Sequence, residues 1–268
     1  MYQEAGHRSL FFFDHFWWVI WLVIFGALIV SSYTYRVAPY CRNGKVLRHD
    51  IYARVGHWLN ASGILLLLYS GYELGFLWFP RTLSGTDEIR AMFNLHFVGA
   101  ALFLAGAVFW LGNMFLAPQR LKEHEPYKGA LKDAILYYLH LFGLVKHEGS
   151  PAGKYEASER LAFVPLTILA FLMAITGLVK MMGHPVHLPT ALLHASTLAH
   201  DSMALILAVL LVFHILLAAV VPWSWPLFRS MIDGFVSLDF VRKTHPGWYK
   251  ELRENGACEV EENTRERE

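Results

Sequence analysis

Five long apolar stretches govern what this chain of 268 residues can become. They run roughly over 10–33, 57–79, 91–117, 161–182 and 194–222. A helix rising ~1.5 Å per residue needs about 20 apolar residues to cross a hydrocarbon layer of ~30 Å, and each stretch is long enough. Inside that layer no water satisfies the backbone, so each stretch must close its own hydrogen bonds as a helix. Composition agrees, since 55% hydrophobic and 17% charged residues are too apolar a mixture for an ordinary soluble domain. The expected fold is all-α, an integral membrane helical bundle of five transmembrane helices. The first stretch lacks a basic start followed by a small-residue cleavage site and is read as a retained helix. A net charge of +1 gives no case for nucleic-acid binding.

The basic residues set the orientation. Arg36, Arg42, Lys45, Arg48 and Arg54 lie between the first two stretches, and Arg120, Lys122, Lys128, Lys132, Lys146, Lys154 and Arg160 lie between the third and fourth. The tail adds Arg229, Arg242, Lys243, Lys250 and Arg253, whereas the other arms hold only Arg8, Arg81 and Arg90. The positive-inside rule puts the amino terminus outside and the carboxy terminus in the cytoplasm, in a cell inner membrane. The chain therefore divides into an extra amino-terminal helix over 1–36, a four-helix core over 37–222, and a cytoplasmic tail over 223–268. The connection 118–160 carries an apolar face on Leu131, Ile135, Leu136, Tyr138, Leu139 and Phe142, which predicts an interfacial helix within Gly129–Val145. The charged end, Asn255 to Glu268, reads as disordered.

Four of the fourteen histidines fall at informative depths. His57 begins the second stretch on the cytoplasmic side, and His96 lies near the outer start of the third. His200 and His214 share the fifth. Fourteen residues of helix rise ~21 Å and turn ~40° short of four full turns, so both rings point to one face at two depths. An electron-carrying b haem wants two imidazoles on opposite faces of its iron. Depth pairs His57 with His214 on the cytoplasmic side and His96 with His200 on the outer side, so the four-helix core is expected to hold two b haems.

Weighed against this, a lone histidine at a membrane interface is more often a packing or headgroup residue. Two depth-matched pairs on three helices argue otherwise, because ionisable residues inside spans are costly and usually functional. His15, His184, His187, His194, His124, His140 and His147 are read as surface or loop residues. Cys41 and Cys258 are not paired in sequence and form no C-x-x-C-H attachment motif, so haem would be held without thioether links. A transporter or channel would want ionisable groups and broken helices at the midplane, and the chain shows neither clearly. A haem-free membrane anchor is the other competing class.

Residues 48–253 resemble the gamma, cytochrome b subunit of respiratory formate dehydrogenase, within the di-haem membrane cytochrome b group. The resemblance rests on Arg54-x-x-His57-Trp58, the 39 residues from His57 to His96, the pair His200 and His214, and Gly153-Lys154-Tyr155 before the fourth stretch. In the tail it rests on Met231-Ile232-Asp233-Gly234 and His245-Pro246-x-Trp248-Tyr249. It implies that the four histidines ligate two b haems and that electrons arrive from an iron–sulfur subunit beside a molybdenum or tungsten catalytic subunit. It further implies that menaquinone or ubiquinone is reduced near His214, within a complex that could itself oligomerise. Formate chemistry would belong to the partner. A related hydrogenase or thiosulfate or polysulfide reductase complex is the sibling alternative.

Two departures stand out. The first helix has no counterpart in the shortest family members. Where the family's quinone stretch after Gly-Lys-Tyr usually reads Asn-x-Gly-Gln, this chain has Glu156-Ala157-Ser158-Glu159. The candidate quinone residues are then His214, Tyr155, Glu156, Ser158 and Glu159, and a carboxyl group donates to a quinone carbonyl only when protonated. Glu156 and Glu159 could deliver protons, or form a solvated acidic edge. Arg54 and Arg90 are the candidate partners for haem propionates. Asp201 needs water, a partner subunit or a donor; Asn113 and Glu73 read as capping or snorkelling groups. Gly63, Gly71, Gly99, Gly106 and Gly177 suit a haem face or a close helix contact, and Pro165 is expected to start or bend the fourth helix.

Overall fold

The structure is a computed structural model that describes residues 11–35, 37–75, 79–146 and 153–258. The readings made above for Arg8, Arg36, His147 and residues 259–268 lie outside the described residues. Each apolar stretch is helical over most of its described residues. A short α1 (Phe12–His15) precedes α2 (Trp17–Ser32), followed by β1 (Cys41–Arg42), β2 (Lys45–Leu47), α3 (Ile51–Leu74) and α4 (Thr86–Leu116). Then come α5 (Pro118–His124), α6 (Ala130–Leu141), α7 (Ala157–Met182) and α8 (Thr190–Ile215). A π turn (Leu216–Val220) and a 3-10 turn (Pro222–Ser224) lead to α9 (Trp225–Asp233), β3 (Phe235–Ser237), α10 (Leu238–Thr244) and α11 (Pro246–Glu254).

Helices α4 and α7 and the run Thr190–Val220 are long and apolar enough to cross a membrane, while Trp17–Ser32 is a shorter apolar helix. The protein is a helical membrane bundle. The helices outrun the apolar stretches at their amino ends because polar residues also propagate a helix. Asp87 and Glu88 occupy the first turn of α4 and Glu159 that of α7, where the helix dipole favours a negative charge. Pro165 therefore lies inside α7 and does not start it, since the helix has already begun at Ala157. The first stretch breaks at Phe16, and α3 stops at Leu74 before Gly75, whose φ of 83° only glycine adopts freely. The predicted interfacial helix is α6, preceded by Gly129 at φ 98°.

The chain forms two compact units. One holds the described parts of 1–33, 55–112 and 168–212. Its core is Ile20, Phe97, Phe103, Leu104 and Met181. Here α3 and α4 approach backbone to backbone: a Cβ on Gly63 would collide with the Phe103 backbone, and one on Gly106 would lie 2.8 Å from Asn60 N. Gly99 opens onto Leu66 and Leu67 in the same seam. Small residues serve here as they do in membrane helices generally, by letting dispersion and packing act where lipid supplies no hydrophobic drive.

The other unit comprises 34–54, the described parts of 113–167, and 213–258. It contains a small antiparallel sheet in the order β1-β2-β3, with Val46 opposite Val236. The Arg48 and His49 amides donate to Gly234 O at 2.8 and 3.1 Å. Val46, Val236, Val241, Trp248 and Leu252 make its core. Cys41 and Cys258, unrelated in sequence, are joined by a disulfide across a Cα separation of 5.0 Å. Part of the stretch expected to be disordered, 255–258, is thus tied to β1. Asp50 caps α3 by accepting from Ala53 N at 2.9 Å, and its carboxylate pairs with Arg120.

Candidate functional site

The two histidines assigned to one depth lie in one unit. His96 projects from α4 and His200 from α8, both half-buried and close enough to influence each other electrostatically. Each Nδ1 is held by a hydroxyl on a neighbouring helix. Ser70 Oγ of α3 is 2.9 Å from His96 Nδ1, and Thr176 Oγ1 of α7 is 2.9 Å from His200 Nδ1. With Nδ1 engaged, Nε2 is the ring nitrogen able to bind a metal. A glycine stands beside each ring: a Cβ on Gly71 would lie 3.7 Å from His96 Cε1, and one on Gly177 would lie 3.3 Å from His200 Cε1. Two imidazoles, each engaged at Nδ1 and flanked by a glycine, are a donor set that fits a b haem.

The same surroundings hold an ion pair that the sequence reading did not assemble. Lys180 Nζ lies 3.6 Å from Asp201 Oδ1, which answers what Asp201 needed, and the Lys180 charge also acts on His96 and His200. Arg90 is engaged with Asp87 at 2.6 Å. A lysine flanked by Val179 and Met181 gave no signal in the sequence beyond its charge. His184 is an exposed residue in the turn after α7, as expected, and there it bonds Asp14 at 2.6 Å and stacks on Phe13.

His57 belongs to the first unit and His214 to the second. His57 is half-buried, with the Trp58 ring edge-on at 5.3 Å. His214, in the last turn of α8, lies within electrostatic reach of Glu159. Arg54 Nη1 donates to the Ile232 carbonyl, so its guanidinium already serves a structural bond.

The stretch after Gly-Lys-Tyr leads into a buried charge cluster. Arg48, 2% exposed, donates from Nη2 to both Glu159 oxygens at 3.0 Å. Its Nη1 faces His245 Nε2 at 3.1 Å, and Glu156 Oε1 lies 3.5 Å from that same nitrogen. Burial, and then the Arg48 charge, push His245 down to about 2, so its ring is neutral. Because arginine can only donate, Nε2 accepts and the ring proton sits on Nδ1, facing Thr244 Oγ1 at 2.7 Å. The Glu156 amide donates to Glu159 Oε2 at 2.7 Å. Tyr155 is buried, with Arg48 over its ring at 5.3 Å and His124 at 4.1 Å. Burial lowers His124, and burial with the charges of Glu156 and Glu159 raises Tyr137.

The two glutamates therefore differ. Both Glu159 oxygens accept from Arg48 Nη2, while Glu156, 3% exposed, is the buried carboxyl beside that pair. The acidic edge is split: Glu156 is buried, whereas the Glu159 side chain keeps 36% of its exposure. Arg48 and His245 were missed as members: Arg48 looked like one of several topology-setting cations, and His245 was only part of a tail motif. Ser158 stands half-buried in the first turn of α7. Asn113 accepts from Thr34 Oγ1 at 2.7 Å, and Glu73 accepts from the Thr82 hydroxyl, so both bond locally.

Comparison with known proteins gives a family match over residues 48–234, to the model described as prokaryotic cytochrome b561. The nitrate-inducible formate dehydrogenase cytochrome b556(Fdn) subunit of Escherichia coli K12 is 27% identical over 215 residues, covering 77% of this chain and 91% of that protein. The formate dehydrogenase cytochrome b556(fdo) subunit of the same strain is 26% identical over 222 residues, or 79% and 95%. The formate dehydrogenase cytochrome b556 subunit of Haemophilus influenzae is 25% identical over 213 residues, or 77% and 83%.

Proposed function

Because the chain belongs to the prokaryotic cytochrome b561 family, we propose that it is the two-haem electron-transfer subunit of a formate dehydrogenase type complex, passing electrons to membrane quinone. The carrying observation is the pair His96 and His200, each held at Nδ1 by a hydroxyl on a neighbouring helix. These two would ligate one haem, and His57 with His214 the second, the latter pairing resting on the depth argument from sequence alone. Bound there, haem iron supplies one-electron exchange between its ferrous and ferric states.

The topology follows from parity. β1–β2 and β3 share a sheet and Cys41 bonds Cys258, so the chain between them crosses the membrane an even number of times. Three helices qualify by length and composition, and α3, with 24 residues and a length of about 36 Å, supplies the fourth. The positive-inside rule puts the sheet in the cytoplasm.

Quinone reduction takes two electrons and two protons. Glu159, held by Arg48, positions the Glu156 amide. Glu156 carries a proton from the aqueous side to a quinone carbonyl oxygen and is reprotonated from the same side. Tyr155 and Ser158 are hydroxyl donors for the same substrate. Electrons enter from an iron–sulfur subunit, and formate is oxidised on a molybdenum or tungsten partner.

The test is a reduced-minus-oxidised spectrum with haem quantitation on purified protein, wild type against His200→Ala and His214→Ala. Two b haems, with a different one lost in each variant, support the reading; no haem overturns it. Glu156→Gln should cut quinol formation with both haem spectra intact, by about 100-fold if Glu156 is the general acid. Unchanged turnover would remove Glu156 from the mechanism. Co-purification of an iron–sulfur partner separates the formate dehydrogenase assignment from its siblings.

A further inference from the structure

Both Nδ1 contacts in the first unit are made by the same dipeptide pattern, a hydroxyl residue followed by glycine. Ser70-Gly71 faces His96 and Thr176-Gly177 faces His200. In each case the hydroxyl's single hydrogen is already committed. Ser70 Oγ donates to Leu66 O at 2.6 Å, and Thr176 Oγ1 donates to Leu172 O at 2.8 Å. What each oxygen offers the imidazole is therefore a lone pair, and the ring must donate from Nδ1–H. That fixes the neutral tautomer with its lone pair on Nε2. Donation of Nδ1–H also raises the basicity of the ring, an effect strengthened because the accepting hydroxyl is itself polarised by its bond to a helix carbonyl.

We propose that Ser70-Gly71 and Thr176-Gly177 are matched positioning devices that set the tautomer, ring orientation and donor strength of the two histidines that would hold a haem, and so would lower the reduction potential of that haem. The inference rests on the reading that His96 and His200 ligate one haem. Ser70 is wholly buried, so no water replaces its oxygen when it is removed. The glycines matter unequally: a Cβ at residue 177 would press on His200 Cε1 at 3.3 Å, whereas one at residue 71 would sit in ordinary contact at 3.7 Å from His96 Cε1.

The experiment is a spectroelectrochemical titration of the purified full chain with haem quantitation and low-temperature electron paramagnetic resonance. Ser70→Ala and Thr176→Val should each raise the potential of the same one haem. The expected size is a tenfold rise in its reduced-to-oxidised ratio at fixed ambient potential, equivalent to about 59 mV for one electron. The second haem should not move. Ser70→Thr and Thr176→Ser keep the oxygen and should restore the wild-type potential. Gly177→Ala should alter the resonance signal of that haem, and Gly71→Ala should alter it less.

Unchanged potentials in both hydroxyl variants, with two haems retained, would overturn the proposal and leave the hydroxyls as packing groups. Shifts falling on different haems would also overturn it. His96→Ala and His200→Ala are measured alongside: if both keep two haems, the ligand assignment itself fails. If each loses the same haem while the hydroxyl variants shift nothing, only the positioning role falls.

Discussion

Asp50 carries two separable duties, and removing them in turn should give two separable costs. Its carboxylate accepts from Ala53 N at 2.9 Å and caps α3. It also pairs with Arg120, with side chains 6% and 9% exposed. Asn is as good a cap as Asp but carries no charge, so Asp50→Asn keeps the first duty and loses the second. Breaking a buried pair by removing one partner costs about 3–5 kcal/mol, and losing a cap adds about 1 kcal/mol. Asp50→Asn should therefore destabilise by about 3–5 kcal/mol and Asp50→Ala by about 4–6 kcal/mol. Asp50→Asn combined with Arg120→Met should recover most of the loss, since no uncompensated charge then stays buried. The assay is tryptophan-monitored unfolding in one detergent at fixed protein concentration. A wild-type midpoint for Asp50→Asn, or a double variant no better than the single, would refute the reasoning. The acid limb gives a second check. Burial raises the Asp50 carboxyl, but bonds from Arg120 and Ala53 outweigh it and hold it below the ordinary value. A lowered acid gives stability that is complete above the unfolded value and lost as pH falls through the folded one, so wild type should lose this contribution below about pH 4 and Asp50→Asn should not.

His245 adds a second loss on acidification, from a base kept neutral where Asp50 is an acid kept charged. Its neutral form is enforced in the fold, so the unfolded chain binds a proton first, and stability should decline as pH falls below about 6.5, by up to about 1.4 kcal/mol per unit. His245→Gln should flatten that slope in the same unfolding assay; an unchanged slope would mean the ring is charged or exposed. Gly234, at φ 94° with His49 O 2.8 Å from any added Cβ, closes α9 onto β3. Gly234→Ala should cost about 1–3 kcal/mol, read as a lowered midpoint, and a neutral effect would count against the left-handed cap. Cys41 and Cys258 face the cytoplasm by the positive-inside rule, where thiols are kept reduced, so both should alkylate in intact cells and neither after oxidation of the purified protein. A pair protected in cells would place that face in an oxidising compartment and reverse the orientation.

Much of the architecture was legible because the bilayer leaves few choices. A long apolar run must become a helix, so the position and type of the apolar helices followed from composition, though not their ends. Those ends moved because Thr86-Asp87-Glu88 and Ala157-Ser158-Glu159 are polar yet helical, and hydropathy does not register them. That His96 and His200 share one compact unit agrees with the depth arithmetic along their helices, and their pairing on a haem stays a proposal. The glycines were readable only as a class. The fold sorted them, assigning Gly63, Gly99 and Gly106 to the α3–α4 seam and Gly71 and Gly177 to the histidine rings.

What the sequence determined by itself is whatever depends on spacing along one chain segment: helix type, the apolar runs inside the long helices, the helix at α6. The tertiary structure alone decided what depends on meeting across long separations. Arg48 with Glu159 and His245, Cys41 with Cys258, and Ser70 and Thr176 with their histidines come from segments far apart in number. A hydroxyl or a guanidinium carries no mark in sequence of the partner it will find. The partner is chosen when apolar faces pack and the buried polar groups left between them must bond one another or bear the cost of desolvation.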